Sequence, residues 1–288
     1  MKIINGKILS DSLNKKLSKN LFLLKKENSI SPSLVVILVG NNSASSLYVR
    51  NKEKKALEVG IKSYVVRLDE KIKEEELLSI IQEYNERSDI DGILVQLPLP
   101  LHINSDKIID KIDIEKDVDG FNSKNIGLLA LGRPNVIPCT PLGCYFMLDH
   151  FTTLKGKNVT IIGRSNIVGK PLSYLLTNKN ATVTLVHSKS LNIKKICSES
   201  DIIVAAIGKP NFIKKNWVNK NSIIIDVGIN VLKEKDGTKK IVGDVDYLKV
   251  SKEVKAISPV PGGVGPMTIH CLLLNTYLLA KKRRNILQ

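Results

Sequence analysis

Aromatic residues, cysteine and histidine are all scarce in this chain of 288 residues. Aromatic side chains make up only 5% of it, so aliphatic side chains must fill its cores. The four cysteines form no CxxC pair, and together with only four histidines they give no zinc-binding pattern, so no metal site is expected. A disulfide framework is not expected in a chain of this length, and reduced thiols fit a cytoplasmic location.

The sequence also lacks the long apolar segments that membranes require. A membrane-spanning helix needs ~20 consecutive apolar residues. The longest apolar runs here, residues 34–39 and 202–207, have the length of buried strands. Residues 1–10 contain no long apolar segment of the kind that secretory signals carry. No membrane partner is therefore expected.

Acidic residues are outnumbered, because 44 Lys and Arg stand against 28 Asp and Glu, for a formal net charge of +16. Such an excess suits anionic partners. The charge is spread along the chain, however, so a plain compositional bias is the alternative interpretation. Nucleic-acid binding would require clustered cations with interleaved aromatic residues or a known reading motif. The sequence has neither, so no nucleic-acid partner is expected.

Apolar strands alternate with amphipathic helices in two successive series. The first series predicts strands at 34–39, 64–68 and 91–97 and helices at 43–59 and 74–87. The second predicts strands at 158–162, 182–186, 201–207 and 222–227, helices at 169–178 and 193–198, and a closing apolar helix at 266–282. This alternation predicts an α/β fold with parallel strands and right-handed crossovers. The length predicts two domains, with a boundary near residues 140–155.

The second series begins with a candidate dinucleotide-binding turn. In the segment KNVTIIGRSNIVGKP (157–171), a buried strand runs into Gly163 and Gly169 opens the next helix. Backbone N–H groups at such a helix N-terminus can receive a pyrophosphate. Ser165 stands where the second glycine of GxGxxG would be, so an ordinary βα turn is the alternative.

The next strand indicates which dinucleotide is preferred. An NAD enzyme usually carries Asp or Glu at the end of this strand, to bind the ribose 2′-hydroxyl. Here the strand ends in His187-Ser188-Lys189, with no acidic residue. Arg164 in the first turn adds a planar guanidinium that matches phosphate oxygens. The pattern favours NADP over NAD, against the alternative that these cations are merely solvated.

Several other segments carry polar or glycine-rich patterns suited to ligands. Tyr48 and Lys52 share one helix face because they lie four residues apart. Gln96 ends a buried strand, where ligands of open α/β sheets bind. Residues 116–121 form an acidic turn, and residues 258–268 hold three glycines and three prolines, which let backbone approach a ligand. The alternative interpretation is surface decoration for Tyr48 and Lys52, a plain Asp-Gly turn for residues 116–121, and a rigid interdomain linker for residues 258–268.

Eight segments, taken in chain order, resemble those of the bifunctional methylenetetrahydrofolate dehydrogenase/cyclohydrolase family. They are YVRNKEKKALEVGI (48–61), DGILVQLPLP (91–100), KDVDGFN (116–122), PCTPLG (138–143), IIGRSNIVGKP (161–171), IDVGIN (225–230), VGDV (242–245) and PVPGGVGPMT (259–268). Chance agreement across all eight is negligible, and the last segment is highly specific.

The resemblance implies an architecture and an activity. Residues 1–145, with a C-terminal helix at about 267–288, are expected to form a folate-binding catalytic domain. Residues 146–266 are expected to form a Rossmann-type NADP-binding domain, with a cleft between the two. The expected activity is NADP-dependent oxidation of 5,10-methylenetetrahydrofolate, followed by hydrolysis to 10-formyltetrahydrofolate. A homodimer joined through the nucleotide domains is also implied.

The resemblance also assigns site residues. The catalytic residues are expected to be Tyr48, Lys52 and Gln96. The residues expected to bind the folate are Asp119, Pro259, Gly262 and Gly263. The residues expected to bind NADP are Gly163, Arg164, Ser165, Ser188 and Ile229.

The chemistry of the second reaction favours Lys52 as the proton carrier. Water addition to the methenyl carbon needs proton transfer, and burial beside a cationic substrate would lower the pKa of Lys52 and free its lone pair. Gln96 can hold the amine by a hydrogen bond, and ionised Asp119 accepts only, which suits pterin N–H donors. The rival interpretation is another two-domain NADP dehydrogenase, acting on a small hydroxy or amino acid.

Overall fold

The computed structural model describes residues 1–233 and 237–286. Its strands are β1 (Lys2–Ile3), β2 (Ser33–Val39), β3 (Lys62–Leu68), β4 (Gly92–Val95), β5 (Asn158–Ile162), β6 (Thr182–Val186), β7 (Ile202–Ala205), β8 (Ile223–Asp226), β9 (Asn230–Lys233), β10 (Lys239–Val242) and β11 (Ala256–Ile257). Its α-helices are α1 (Gly6–Asn28), α2 (Ser43–Val59), α3 (Glu74–Glu86), α4 (Ser105–Lys111), α5 (Ser123–Ala130), α6 (Cys139–Phe151), α7 (Gly169–Asn178), α8 (Ile193–Ser198), α9 (Tyr247–Val250) and α10 (Val264–Arg283).

The chain divides into two compact units, each with its own parallel sheet, which confirms the predicted two-domain α/β class. The three-strand unit contains residues 12–139 and the chain from 269 onward; the six-strand unit contains residues 1–11 and 140–268. These bounds differ from the expected domains at the start of the chain, because β1 pairs with β11 of the six-strand unit. The last two residues of the expected C-terminal range lie outside the described residues.

The sheet of the three-strand unit has the order β3-β2-β4, with both pairs parallel. All seven residues of β2 are buried, as expected for a central parallel strand covered on both faces. One side of β2 packs with apolar side chains of α3 and α4, among them Leu77, Ile81 and Ile108. Helix α2 is fixed at both ends, by the Asn42 side chain at its N-cap and by Gly60 at φ 102° after its last turn.

The C-terminal part of α10 belongs to the three-strand unit through a buried ion-pair cluster. Asp91 is fully buried before β4 and accepts hydrogen bonds from Arg283 Nη1 at 3.1 Å, from Arg284 Nη1 and from the Ser33 backbone N–H. A buried carboxylate left without such partners would be strongly destabilising. About two helical turns before Arg283, Asn275 of α10 donates a hydrogen bond to the Val118 carbonyl at 2.9 Å.

The sheet of the six-strand unit has the order β1-β11-β8-β7-β5-β6, and every pair is parallel. The chain leaves β5 for β6 on one side and then returns to β7 on the other side. The carboxyl ends of β5 and β7 therefore flank a topological switch point, the place where open α/β sheets bind ligands. A separate antiparallel pair, β9 and β10, follows β8.

Candidate functional site

Lys52 is the buried centre of a polar group in the three-strand unit. It lies on α2 with only 4% of its surface exposed. Its Nζ donates a hydrogen bond to Gln96 Oε1 at 3.0 Å and lies 4.7 Å from the centre of the Tyr48 ring. The ammonium group is thus oriented by one amide oxygen and one aromatic face.

Gln96 is held by the end of β4. Its backbone N–H donates to the Ile37 carbonyl at 2.8 Å, so the residue extends the strand ladder. Its side-chain Nε2 donates to the Leu97 carbonyl at 2.7 Å, which turns Oε1 toward Lys52. The hydrogen bond expected between Lys52 and Gln96 is therefore present, and it joins α2 to the carboxyl edge of the sheet.

The protonation of Lys52 is shifted toward the neutral amine. Burial lowers the pKa of Lys52 below its ordinary value of 10.5, because the low-dielectric interior disfavours the charged form. The negative charge of Asp119 opposes that fall. Reciprocally, burial raises the pKa of Asp119 above 3.8, and the Lys52 ammonium opposes the rise. The two groups therefore interact electrostatically within one site.

The turn that carries Asp119 is anchored by the residues before it. Lys116 is buried and its Nζ donates to three carbonyls at the end of α3, those of Tyr84 (3.1 Å), Asn85 (2.7 Å) and Arg87 (2.6 Å). A cation at a helix C-terminus is favourable because it complements the helix dipole. Lys116 thus fixes the beginning of the KDVDG segment and does not face Lys52.

The two aspartates of this segment have different surroundings. Asp117 is fully buried and accepts from the Gly120 N–H (3.0 Å), the Asn122 N–H (2.9 Å) and Asn125 Nδ2 (2.7 Å). These hydrogen bonds occupy both carboxylate oxygens of Asp117 and close the turn. Burial has the larger effect on the pKa of Asp117 and raises it to about 6, whereas the hydrogen bonds lower it. Asp119 is only partly buried and shares the environment of Lys52. The geometry distinguishes a carboxylate that frames the turn from one that can receive a ligand.

Two residues beside Asp119 were not predicted as site residues. The buried Cys139 thiol donates to the Val118 carbonyl at 3.2 Å, next to Asp119 in the chain. Asn275 on α10 lies 3.7 Å from Cys139 Sγ through its Nδ2 and donates to the Ile137 carbonyl at 3.0 Å. Cys139 stands in the PCTPLG segment, which could have indicated it. Asn275 lies in an unremarkable apolar helix and gives no sequence signal.

The predicted dinucleotide turn of the six-strand unit is tightly packed around its glycines. Gly163 follows β5 at φ 115°, and a Cβ there would overlap with the Ala206 carbonyl. A Cβ at Gly169, the first residue of α7, would overlap with the Gly163 carbonyl. Ser165 Oγ accepts from the Val168 and Gly169 N–H groups at 3.2 and 3.4 Å. Serine at this position therefore caps the turn, which explains the departure from GxGxxG.

The residues expected at the 2′-phosphate lie on the surface of the same unit. Arg164 and Ser188 are exposed, at the carboxyl ends of the neighbouring strands β5 and β6. After β6 the chain makes a tight turn in which the His187 N–H donates to Ser190 Oγ at 3.0 Å. In this turn the Ser188 and Lys189 side chains are exposed to solvent.

Ile229 and the glycine-rich loop line a single pocket of about 190 Å³. Its wall includes Pro259, Gly262 and Gly263 together with the residues just after β8. The Ile229 side chain is 62% exposed at the edge of this pocket. Three of the four residues expected to bind the folate, Pro259, Gly262 and Gly263, thus share one cavity of the six-strand unit with Ile229, the residue expected beside the nicotinamide.

The structure therefore gathers the predicted residues in two groups. Tyr48, Lys52, Gln96 and Asp119 form the group in the three-strand unit. The other predicted residues belong to the six-strand unit. In the described parts of the chain, no three His, Cys, Asp or Glu side chains are arranged to hold a metal ion. None of the helices in those parts has the length and apolar character that crossing a bilayer requires.

A buried lysine beside a carboxylate, in a chain that also carries a dinucleotide turn, defines an α/β enzyme that combines acid–base chemistry with a nucleotide cofactor. Comparison with protein families gives the particular class. The model for the tetrahydrofolate dehydrogenase/cyclohydrolase catalytic domain matches residues 4–119, and that for the NAD(P)-binding domain matches residues 138–284. The chain belongs to the tetrahydrofolate dehydrogenase/cyclohydrolase family.

Individual relatives agree over the full length of the chain. The "Bifunctional protein FolD" of Wolbachia pipientis from Culex pipiens is 50% identical and covers 99% of this chain and 97% of its own. The protein of the same name from Streptococcus uberis is 51% identical, with 98% of each covered. The solved FolD enzyme of Campylobacter jejuni is 45% identical at a TM-score of 0.94, covering 98% of this chain and 99% of its own.

A solved relative also indicates the cofactor. The Trypanosoma brucei enzyme, in complex with NADP and an inhibitor, is 34% identical at a TM-score of 0.94, with 98% of each chain covered. Shikimate dehydrogenase of Aquifex aeolicus is 14% identical at a TM-score of 0.54 and shares the fold alone. The predictions of family, of bifunctional dehydrogenase and cyclohydrolase activity and of NADP are confirmed, and the rival hydroxy-acid interpretation loses its support.

Proposed function

We propose that Lys52 is the proton carrier of the cyclohydrolase reaction, within an enzyme that first oxidises 5,10-methylenetetrahydrofolate with NADP. The observation that carries this proposal is the buried Lys52 side chain, which donates a hydrogen bond to Gln96 and lies against the Tyr48 ring. No other lysine described here combines near-complete burial with a neighbouring side-chain amide at the carboxyl edge of a sheet. Bound NADP supplies a hydride acceptor at its nicotinamide C4.

The neutral Lys52 amine begins the hydrolysis. It takes a proton from water while the water oxygen bonds to the methenyl carbon, which removes the positive charge of the folate. The resulting ammonium returns this proton to the ring nitrogen as the carbon–nitrogen bond breaks. The hydroxyl proton of the adduct passes to solvent as the formyl C=O forms, so one proton is released together with 10-formyltetrahydrofolate. Burial lowers the pKa of Lys52, which favours the neutral amine that the first step needs. Gln96 keeps the amine in place, and Tyr48 covers its other side.

Asp119 binds the substrate and does not carry the proton in this proposal. An ionised carboxylate accepts hydrogen bonds only, so it matches the N–H donors of the pterin edge. Its attraction to the Lys52 ammonium supports the ionised form against the effect of burial. Pro259, Gly262 and Gly263 are proposed to border the folate, because their loop offers backbone with little side-chain bulk.

The six-strand unit fits NADP on three observations. Glycines at 163 and 169 let the backbone pack where a Cβ would overlap, as a pyrophosphate-binding turn requires. Ser165 shapes that turn through its hydroxyl. Arg164 and Ser188 are exposed with no carboxylate in the His187-Ser188-Lys189 segment, so a 2′-phosphate would meet a cation and hydroxyl donors. Ile229 is proposed to lie beside the nicotinamide.

Replacing Lys52 with Met tests the proposal. The long side chain remains, but the proton carrier is lost, so cyclohydrolase activity should fall roughly 100-fold or more while hydride transfer survives in part. Hydrolysis of methenyltetrahydrofolate and formation of NADPH are measured separately. Lys54→Met, an exposed position on the same helix, should leave both activities intact. Equal survival of both activities in Lys52→Met would refute the assignment.

We further propose that the enzyme is a cytoplasmic homodimer that acts on tetrahydrofolate derivatives, with no membrane or nucleic-acid partner. Reduced, buried cysteines support the cytoplasmic location, because all four thiols lie inside the protein. The dimer rests on the family resemblance. Light scattering tests it, because the expected mass is twice the 31.9 kDa of one chain.

A further inference from the structure

Two buried carboxyl groups of the six-strand unit have no role in the reaction described above. Asp226 ends β8 and is 2% exposed, and Asp244 follows β10 and is fully buried. Asp226 lines the pocket that Ile229 shares with the glycine-rich loop, and its Oδ1 accepts a hydrogen bond from the Asp244 backbone N–H. Buried carboxylates are costly unless every oxygen finds donors. The donors that they find connect several separate segments of the unit.

Asp244 joins the end of β7 to the start of β9. Its Oδ2 accepts from the Ile207 N–H at 2.8 Å and from the Gly208 N–H at 3.0 Å. Its Oδ1 accepts from Asn230 Nδ2 at 2.9 Å, one residue beyond Ile229. Both oxygens therefore face N–H donors, an arrangement that a carboxylate satisfies and an amide does not.

Asp226 joins Asp244 to the glycine-rich loop. Its Oδ1 accepts from the Gly228 N–H at 3.0 Å and the Asp244 N–H at 2.9 Å, and its Oδ2 accepts from the Val245 N–H at 3.0 Å. Its own backbone N–H donates to Ser258 Oγ at 2.8 Å, immediately before the loop begins. The two carboxylates thus form one continuous hydrogen-bonded group, called here the Asp226–Asp244 pair.

Two glycines show that the backbone is packed directly against this pair. A Cβ at Gly228 would overlap with the Asp244 carboxylate, and a Cβ at Gly243 would overlap with the Asp226 carboxylate. Neither glycine has a positive φ, so backbone conformation does not require them. Glycine is required at both positions because the backbone there passes so close to a carboxylate that no side chain fits.

The segments held by the pair lie where the cofactor is proposed to bind. Ile207 and Gly208 follow β7, whose carboxyl end borders the switch point, and the preceding Ala206 carbonyl packs against Gly163 of the dinucleotide turn. Ile229 is the exposed residue between Gly228 and Asn230. The pair therefore sits behind the turn after β7 and the segment after β8, at the edge of the sheet that receives ligands.

We propose that the Asp226–Asp244 pair is the positioning device of the NADP site: it holds the 206–208 turn and Ile229 in the conformation that receives the cofactor. This inference rests on the proposed function of the six-strand unit. The pair itself does not touch NADP and takes no part in hydride transfer. Its residues are positioning residues.

The test compares Asp244→Asn with Asp246→Asn. In Asp244→Asn an amide N–H₂ must face an N–H donor in either orientation, so the turn after β7 or Asn230 loses its partner. The dissociation constant of NADP, measured by calorimetry without folate, should rise by roughly tenfold or more, as expected for a lost hydrogen bond to a charged group. Asp246, two residues away, pairs with the exposed Lys214 and Lys249 side chains, and its variant should bind NADP as wild type does.

Cyclohydrolase activity supplies the internal readout, because that reaction consumes no NADP. In Asp244→Asn it should keep the wild-type Michaelis constant for methenyltetrahydrofolate. Loss of both activities together would overturn a specific positioning role, as would unchanged NADP affinity. Failure of the wild-type protein itself to bind NADP would instead contradict the proposed function, so the two failures are distinguishable.

Asn230→Ala decides the question if Asp244→Asn does not fold. This variant removes one side-chain donor to Asp244 from a partly exposed residue and leaves the backbone ladder of β9 in place. NADP affinity should fall by a smaller factor in the same direction. Hydrogen exchange at the Ile207 and Gly208 amides should be faster than in wild type. Unchanged affinity and unchanged exchange would overturn the proposal.

Discussion

At the scale of single residues, the site depends on small differences between chemically identical groups. Asp117 and Asp119 are two positions apart, yet the first is fully buried and accepts hydrogen bonds from three N–H donors, whereas the second is partly exposed. Lys116 is as deeply buried as Lys52, but its ammonium group donates to three backbone carbonyls at the end of α3. The charge and type of a side chain do not assign its role here, because the role depends on the groups to which the side chain is hydrogen-bonded.

Asp119→Asn should weaken folate binding in both reactions. Losing a hydrogen bond to a charged group costs ~1.5–3 kcal/mol, which corresponds to roughly 10-fold to 100-fold in the Michaelis constant for the folate. The Michaelis constant for NADP should change little. Asp106→Asn, on the exposed first turn of α4, serves as the control. Normal folate constants in Asp119→Asn would contradict a binding role.

The sequence predicts the contact between Lys52 and Gln96 but not the residues behind Asp119. A lysine on a helix face and a glutamine at a strand end converge because parallel strands direct their carboxyl ends to one edge. Asn275 reaches the site from 156 positions beyond Asp119 in the chain, and only the packing of α10 brings it there. The roles assigned to the site residues stay predictions until variants are measured.

At the scale of elements, apolar runs predict all strands of the two parallel sheets except the two-residue strands β1 and β11, whereas α1 goes unpredicted. The signal is clearest in central strands such as β2 and β7, because these are buried on both faces. In α1 the buried residues Leu17, Leu21 and Leu24 have helical spacing, but exposed Phe22 and Leu23 obscure the pattern. Strand β1 has two residues, too few for any periodicity.

A buried histidine links α10 to α1 within the three-strand unit and should make that unit sensitive to acid. His270 Nδ1 lies 2.7 Å from Asn14 Oδ1, and burial lowers the pKa of His270 from 6.5 to about 4. The unfolded chain therefore binds more protons than the native unit between these values. Stability contributed by neutral His270 is complete above pH 6.5 and is lost as pH falls toward 4, by up to about 3 kcal/mol.

Denaturant unfolding of wild type and His270→Gln at pH 7.5, 6 and 5 measures this contribution. The variant should lose part of the pH dependence, because the ionisable group is gone, even if its stability at pH 7.5 is lower. His150→Gln, an exposed position, should follow wild type. Parallel curves for wild type and His270→Gln would show that the imidazole does not titrate on unfolding.

At the scale of the whole molecule, the two βα series predict two sheets, but the chain crosses between the units three times. The sequence signals one boundary near residue 140, where the regular alternation pauses. The other two crossings fall inside the continuous helices α1 and α10. The resemblance implies the crossing in α10, at about residue 267, but nothing in the sequence marks the crossing in α1. Helical periodicity therefore cannot locate them.

The net charge of +16 gives a prediction for the complete enzyme. NADP and folate are both anionic, so an excess of cations should raise the rate of encounter at low ionic strength. Salt shortens the screening distance from ~10 Å at 0.1 M to ~3 Å at 1 M. We expect kcat/KM for NADP to fall across that range with KCl, while kcat changes little. A flat response would leave the charge as a compositional property.

The cluster of Asp91 with Arg283 and Arg284 has a practical consequence for preparing the enzyme. One guanidinium group belongs to the last residue of α10 and the other to the residue that follows it, while their acceptor Asp91 is buried just before β4. Shortened forms should therefore keep every residue through position 284. An affinity tag fused downstream needs a spacer, so that it does not compete for those two arginines.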